Sequence, residues 1–154
     1  MQEFTFSYIY PFPKTSVVHG MLMLRLKNEE PDFSFQQVKE GDGKLTYKIF
    51  HKVHPLLQPM LGTDIIVYEE LNLYKSDTSI EIINQSQIPK IGNFTPSIAS
   101  KALVEERDGQ CTMTATLVAN ISQFSVPSFM KTKIQDTLKK RFVELRKREE
   151  QFMT

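Results

Sequence analysis

The side chains able to do chemistry in this chain of 154 residues are few and scattered. Arg25 is the first. It lies in a stretch, 14–28, where Val17, Met21 and Leu24 repeat at helical spacing, and it falls on the neighbouring row with Val18 and Leu22. An arginine on an apolar helix row has two readings. It can snorkel, with its stem on apolar surface and its head in water. It can also be held there for an anion, because its planar fork suits phosphate and carboxylate oxygens. The second concentration of charge is 125–152. Lys131, Lys133, Lys139, Lys140, Arg141, Arg146, Lys147 and Arg148 outnumber Asp136, Glu144, Glu149 and Glu150 by four. The whole chain carries only +1, so the rest of it stands at −3. Such a basic face is either solvated or meets an anionic membrane or ligand.

The remaining candidates do not assemble into a catalytic set. His51 and His54 are three apart, at a strand end before Pro55, which is no context for a metal pair. Cys111 is the one cysteine, so no internal disulfide forms. It has no basic neighbour and alternates among inward-facing residues, which makes it a core filler rather than a nucleophile. Glu69-Glu70 and Glu105-Glu106 are adjacent on strands, so the members of each pair point to opposite faces. No glycine loop joins a strand to a helix, which removes the case for phosphate-cradle or dinucleotide binding. Near-zero net charge argues against a general nucleic-acid binder. The expectation is a binding or transfer protein, not an enzyme, without cofactor or metal. One enzymatic alternative stays open: Tyr47 and His51 share a strand face, and with Glu69 they would make a polar cluster beside a bound hydrophobic substrate.

The elements that must position these residues read as follows. Phe4, Phe6, Tyr8 and Tyr10 give a first strand with an aromatic face, ended by Pro11 and Pro13. A helix follows over 14–28, capped by Thr15 or Ser16. Strands are predicted at 33–38 and 44–53, across the turn Glu40-Gly41-Asp42-Gly43, and again at 65–74 and 78–86. The stretch 87–99 is irregular. Strands at 100–106 and 111–121 flank the tight turn Asp108-Gly109. The last strand sets Cys111, Met113, Ala115, Leu117, Ala119 and Ile121 on one face. Met130, Ile134, Leu138, Phe142 and Leu145 then mark one face of a long helix over 125–152, with Ser125 as its cap and Pro127 in its first turn. The small inward Ala115 and Ala119 leave room on the concave face of the sheet. One connection is unusual. Leu56, Leu57, Met60 and Leu61 sit between Pro55, Pro59 and Gly62, where a polar segment is normal; it either packs down on the core or acts as a lid.

The chain is read as a single domain over 1–154, long enough to bury one core. No run of about 18 apolar residues suggests a membrane span. No secretory signal or Arg-rich presequence is visible at the start. The predicted class is α+β: a curved antiparallel sheet of six to seven strands closed over by a long C-terminal helix.

This order resembles the START-like helix-grip fold, and in detail the PRELI/MSF1 domain family of lipid-transfer proteins. Four places carry the resemblance: Arg25-Leu26-Lys27-Asn28, which matches an Arg-Tyr-Pro-Asn-Pro motif only at Arg25 and Asn28; Asp42-Gly43-Lys44-Leu45 with the strand through Lys52; the segment from His54 to Gly62; and Thr132-Lys133-Ile134 through Leu138-Lys139-Lys140. It implies a phospholipid, such as phosphatidic acid, carried in a sheet–helix cavity and transferred between membranes. The implied headgroup contacts are Arg25, Lys52, Lys133, Thr137 and Lys140. The lid would be Pro55, Leu56, Leu57, Pro59, Met60, Leu61 and Gly62. The cavity would be walled by Leu45, Tyr47, Met113, Ala115, Leu117, Ala119, Ile134 and Leu138. It also implies transient membrane contact, a small helical partner with twin Cys-x9-Cys motifs, and residence in the mitochondrial intermembrane space, or otherwise the cytoplasm. The alternative is a START-like module for another hydrophobic ligand, or a protein-interaction domain without lipid transfer.

Overall fold

Among the described residues seven antiparallel strands form one sheet, and two helices cover its inner face. The structure is a computed structural model that describes residues 2–52, 55, 64–90, 92–120 and 128–153. In chain order the elements are β1 (Gln2–Tyr10), α1 (Lys14–Lys27), β2 (Phe33–Gly41), β3 (Lys44–Lys52), β4 (Asp64–Asn72), β5 (Ser79–Gln87), β6 (Ser97–Arg107), β7 (Gln110–Asn120) and α2 (Ser128–Glu150). The sheet order is β1-β7-β6-β5-β4-β3-β2. Only β1 is out of sequence order, and it pairs with β7 from Gln2↔Ala119 to Tyr10↔Cys111. The fold class is therefore as expected: an α+β helix-grip with a long terminal helix over a curved sheet.

Local chemistry explains the hairpins. Asp42 and Gly43 both have positive φ, at 52° and 71°, as do Asp108 and Gly109, at 54° and 80°. Two successive left-handed residues are what the tight hairpin turn of a right-twisted ribbon requires, and Asp-Gly supplies them at low strain. Strand β6 begins at Ser97, three residues earlier than its pattern suggests, and β2 runs past the expected Val38 to Gly41 over a bulge between Gln37 and Lys39. Helix α1 starts at Lys14 with Pro13 as its cap residue, not Thr15 or Ser16. The proposed cap of α2, Ser125 with Pro127, lies outside the described residues.

Asn28 closes α1. It adopts a left-handed conformation at φ 54°, its backbone N–H donates to the Leu24 carbonyl, and its side chain then bonds the Phe35 backbone twice, at 3.0 and 2.8 Å. These bonds fix the helix end to β2. Inward residues of the sheet form one core cluster with α1 and a smaller one, of Phe4, Phe6, Ile65, Ile88, Ala119 and Ile134, under α2.

Gly20 sets how closely the helices approach. A Cβ there would lie 2.6 Å from the Glu149 carbonyl oxygen and 2.7 Å from Met153 Cγ. In an open helix Ala would be favoured over Gly by about 1 kcal/mol. Here the clash reverses the sign, so Gly20→Ala is expected to lower stability by about 1–3 kcal/mol, the usual cost of overpacking. Urea unfolding compares the two proteins, and a Gly20→Ala variant as stable as the parent would refute this close contact.

Candidate functional site

Two helix ends and one strand bring four charged side chains together inside the core. Arg25 is fully buried in the last turn of α1. Its Nε donates to Glu69 Oε1 at 2.6 Å and its Nη2 to Glu69 Oε2 at 3.1 Å, a two-point fork onto β4. Its Nη1 donates to Glu149 Oε2 at 3.2 Å and to the Met21 carbonyl at 2.8 Å. The guanidinium lies 5.5 Å from the centre of the Phe35 ring. Glu149 is fully buried as well. It accepts the Tyr10 hydroxyl at 2.7 Å, and Arg146 Nε stands 2.7 Å from its Oε1. That N–H is not aimed at the oxygen, so the contact is an ion pair rather than a hydrogen bond. Arg146 Nη1 donates instead to the Met113 sulfur at 3.0 Å. Tyr8 extends the network to Glu150.

Two arginines and two glutamates thus cancel in the interior. Burial by itself would favour discharge of Arg25, but Glu69 and then Glu149 outweigh it and hold its pKa above the ordinary value. The Tyr8 and Tyr10 phenols are held above theirs, by burial first and by the adjoining glutamates.

Beside this network a cavity of about 290 Å³ lies between the sheet and α2. It occupies the junction of the two core clusters: Phe6 and Ile65 line it from one, and Phe35, Ile49, Ile82, Ala102 and Ala115 from the other. Ala102 and Ala115 are cross-strand partners on β6 and β7, so two small side chains meet under the helix. Leu138, Phe142 and Leu145 of α2 form the roof. The wall is mostly apolar, yet Asn84, Ser86, Ser100 and Glu69 reach it from the sheet. At its rim stand His51, stacked on Phe33 at 5.7 Å, and Arg141, which donates to the Lys52 carbonyl at 3.2 Å. Arg148 also lines it but is engaged by Glu30 at 2.9 Å.

The expected headgroup set is not brought together. Arg25 is enclosed and neutralised by two carboxylates, so it offers no free charge to an anion. Lys52, Lys133 and Lys140 are exposed, and none lines the cavity. Lys140 faces an outer groove with Asp136, Val143 and Lys147. Thr137 does line the cavity, though its hydroxyl donates to the Lys133 carbonyl at 2.8 Å. Of the expected wall, Ala115, Leu117 and Leu138 are there. Tyr47, Met113, Ala119 and Ile134 are buried core residues and Leu45 is packed against the core; none of these five lines the cavity. Of the expected lid, Pro55 is an exposed turn residue, while Leu56, Leu57, Pro59, Met60, Leu61 and Gly62 lie outside the described residues.

The enzymatic cluster does not form either. Tyr47 pairs with Glu69 across β3 and β4, but His51 pairs with Ile65, four residues further along. That is about 13 Å along a strand. Both Glu69 oxygens are already taken by Arg25. Among the described residues no group of three or more His, Cys, Asp or Glu is placed to hold a metal. Cys111 is fully buried, and burial, with Glu106 nearby, pushes its thiol up to about 11, which suits a filler.

Charge alone assigns Glu149 and Arg146 to a solvated face, yet both are buried. Their positions carry a signal nonetheless. Ile134, Leu138, Phe142, Arg146, Glu149 and Met153 follow one another at spacings of four or three. The inward stripe of α2 runs straight through the two charged residues.

No family model matches the chain, and no curated protein matches it by sequence. Solved structures share its fold. The STAR-related lipid transfer protein (fragment 25–204) from Xanthomonas axonopodis superposes with a TM-score of 0.62 at 14% identity, over 96% of this chain and 85% of that one. The human StarD13 (DLC2) lipid transfer and protein localization domain gives 0.62 at 12%, over 95% and 76%. The Zhui aromatase/cyclase from Streptomyces sp. R1128 gives 0.61 at 11%, over 96% and 90%. The chain therefore has the START-like helix-grip fold, which hosts lipid-transfer and aromatase/cyclase domains alike.

Truncating Arg25 would strip the buried Glu69 of its counter-charge and leave Glu149 to Arg146 alone. Arg25→Ala is expected to cost about 3–5 kcal/mol of stability. Lys133→Ala and Lys140→Ala should each stay within about 0.5 kcal/mol. Urea unfolding of the three variants decides, and equal effects would mean that the network is not a structural anchor.

The rim has its own pH signature. Burial, and next the Arg141 charge, push His51 from 6.5 down to about 4. Between those values the unfolded chain carries a proton at His51 that the folded chain lacks, so stability falls as pH drops through that window. Compared with His51→Asn, the parent should lose up to roughly 3 kcal/mol between about pH 7 and pH 4. Parallel pH profiles of the urea midpoint would disprove the assignment.

Proposed function

We propose that this protein is a non-enzymatic binder and carrier of one small hydrophobic molecule, held between the sheet and α2. The observation that carries the reading is the cavity itself. An apolar space of about 290 Å³ is kept open in a core whose neighbouring residues are close-packed, with Ala102 and Ala115 at its floor. Its volume is at the lower edge of pockets that enclose drug-sized ligands. That fits a compact ring system or a single chain better than the two acyl chains of a phospholipid. A non-enzymatic role is favoured because Glu69 is committed to Arg25 and His51 stands far along the strand from Tyr47.

Transfer of a phosphatidic-acid-like lipid is the narrower reading. The support for it in the structure is Arg141, the rim cation whose only hydrogen bond among the described residues goes to a carbonyl. An anionic head would meet Arg141 rather than Lys133 or Lys140. The twin Cys-x9-Cys partner, the membrane contact and the intermembrane-space address rest on the PRELI/MSF1 resemblance alone.

N-phenyl-1-naphthylamine, a compact apolar fluorophore, titrated into the purified protein tests the reading. Saturable one-to-one binding in the micromolar range is expected. Ala115→Leu combined with Ala102→Leu should weaken it at least tenfold, which is about 1.4 kcal/mol, without lowering the melting temperature. No binding by the parent, or undiminished binding by the filled variant, would reject the cavity as the site. Vesicles containing phosphatidic acid, offered to the parent and to Arg141→Gln, test the narrower reading by transfer rate.

A further inference from the structure

Among the described residues three side chains that line the cavity, His51, Asn84 and Arg146, carry a buried polar atom with no hydrogen-bond partner. His51 is stacked on Phe33 and Arg146 is ion-paired with Glu149, which leaves Asn84 without structural work to do. The register sets Tyr47, Glu69, Asn84 and Ser100 side by side on four neighbouring strands, with Leu117 and Phe4 continuing the row. Glu69 is fully engaged by Arg25. Ser86, one step closer to the rim, is satisfied too: its hydroxyl donates to the Ile98 carbonyl at 2.6 Å and accepts the Ile98 N–H at 2.9 Å. Asn84 differs. Its Oδ1 is buried with no hydrogen-bond partner among the described residues, and it lines the cavity beside Ser100. A buried amide oxygen left unpaired is costly, and native proteins rarely keep one without a reason.

We propose that Asn84, assisted by Ser100, is a ligand-recognising subsite that takes a neutral hydroxyl group of the hydrophobic ligand. This rests on the cavity being the binding site. The chemistry follows from the groups present. A carboxamide offers both an acceptor and donors, and a serine hydroxyl offers both as well. A ligand hydroxyl is the small group that answers both: its O–H donates to the Asn84 oxygen and its oxygen accepts from the amide N–H or from Ser100. The neighbouring Arg25 and Arg146 are already paired with Glu69 and Glu149, so no uncompensated cation at this depth draws an anionic group. The surrounding Ile82, Ala102 and Phe6 take the apolar remainder of the molecule. The ligand is thus a hydrophobic alcohol or phenol seated with its hydroxyl toward the middle of the sheet.

Three probes of similar shape separate the possibilities: 2-naphthol, naphthalene and 2-naphthoate, each titrated calorimetrically into the parent and into Asn84→Leu, which keeps the number and branching of the side-chain heavy atoms. The parent should bind 2-naphthol at least tenfold more tightly than either of the others. In Asn84→Leu the preference over naphthalene should fall to threefold or less, while naphthalene itself binds as well as before or better. Ser100→Ala should weaken 2-naphthol alone. Equal affinity of the parent for 2-naphthol and naphthalene, or preference for 2-naphthoate, would overturn the subsite and leave the cavity reading intact. Failure of the parent to bind any of the three would overturn both. The stability of Asn84→Leu is a separate readout. An unpaired amide replaced by an apolar group should leave the melting temperature equal or raised, whereas a destabilised or unfolded variant would show that Asn84 is structural and overturn the proposal.

Discussion

The interior of this protein is built around a charge that cannot be left alone. Arg25 has no exposed side-chain surface, and Glu69 from the sheet and Glu149 from the last helix compensate it from two sides. Each partner comes from a different element, so the pairing forms only when α1, β4 and the end of α2 are all in place. Isolated contacts of this kind add little net stability over apolar packing. Their force lies in the penalty for any arrangement that leaves one member unpaired. The network therefore selects one docking of the two helices, and Gly20 allows the helix backbones to come close enough for it.

This anchoring divides α2 into two parts. Its last turns hold the network through Arg146 and Glu149 and meet α1 where Gly20 faces the Glu149 carbonyl, with Met153 just beyond the helix end packed there too. Its middle turns cross the sheet where Ala102 and Ala115 leave space, and Phe142 touches both core clusters at the boundary. A helix fixed at one end can span an incompletely filled region without collapsing into it. The space persists because the charged network at one end of α2 holds the helix in place, with Glu69 and Arg146 of that network forming part of the cavity wall.

The architecture was legible because it is written in local, periodic signals. Alternation on β1 and β7, the Asp-Gly turns and the stripe of α2 each depend on neighbours in sequence, and strand count, pairing sense and the closing helix follow from them. The site was less legible, since a charge in a sequence does not declare its partner. Arg25 stands out on an apolar row, but Glu69 and Glu149 lie 44 and 124 residues away. With its partners unseen, Arg25 reads as a charge waiting for an anion. Resemblance groups Lys133 and Lys140 with it, while their helix turns them to solvent. Ala115, Leu117 and Leu138 could be placed at the cavity because alternation and helical period fix a face, whereas Met113 shares that strand face yet packs beneath Arg146.

The polar groups of the cavity can be sorted by what they already bond. Glu69 and Ser86 point inward, and each has its oxygen atoms engaged within the chain. They are part of the scaffold although they border the void. Asn84 sits between them in the same sheet with its amide oxygen unanswered among the described residues. Had burial alone selected this position, an apolar side chain of the same size would cost less, since an unpaired amide gains nothing from an apolar wall. A side chain that weakens the empty protein makes sense where its partner arrives with the ligand. The distinction between engaged and orphaned polar atoms, rather than their mere presence in a pocket, is what separates the walls of this cavity from the part of it that can choose what enters.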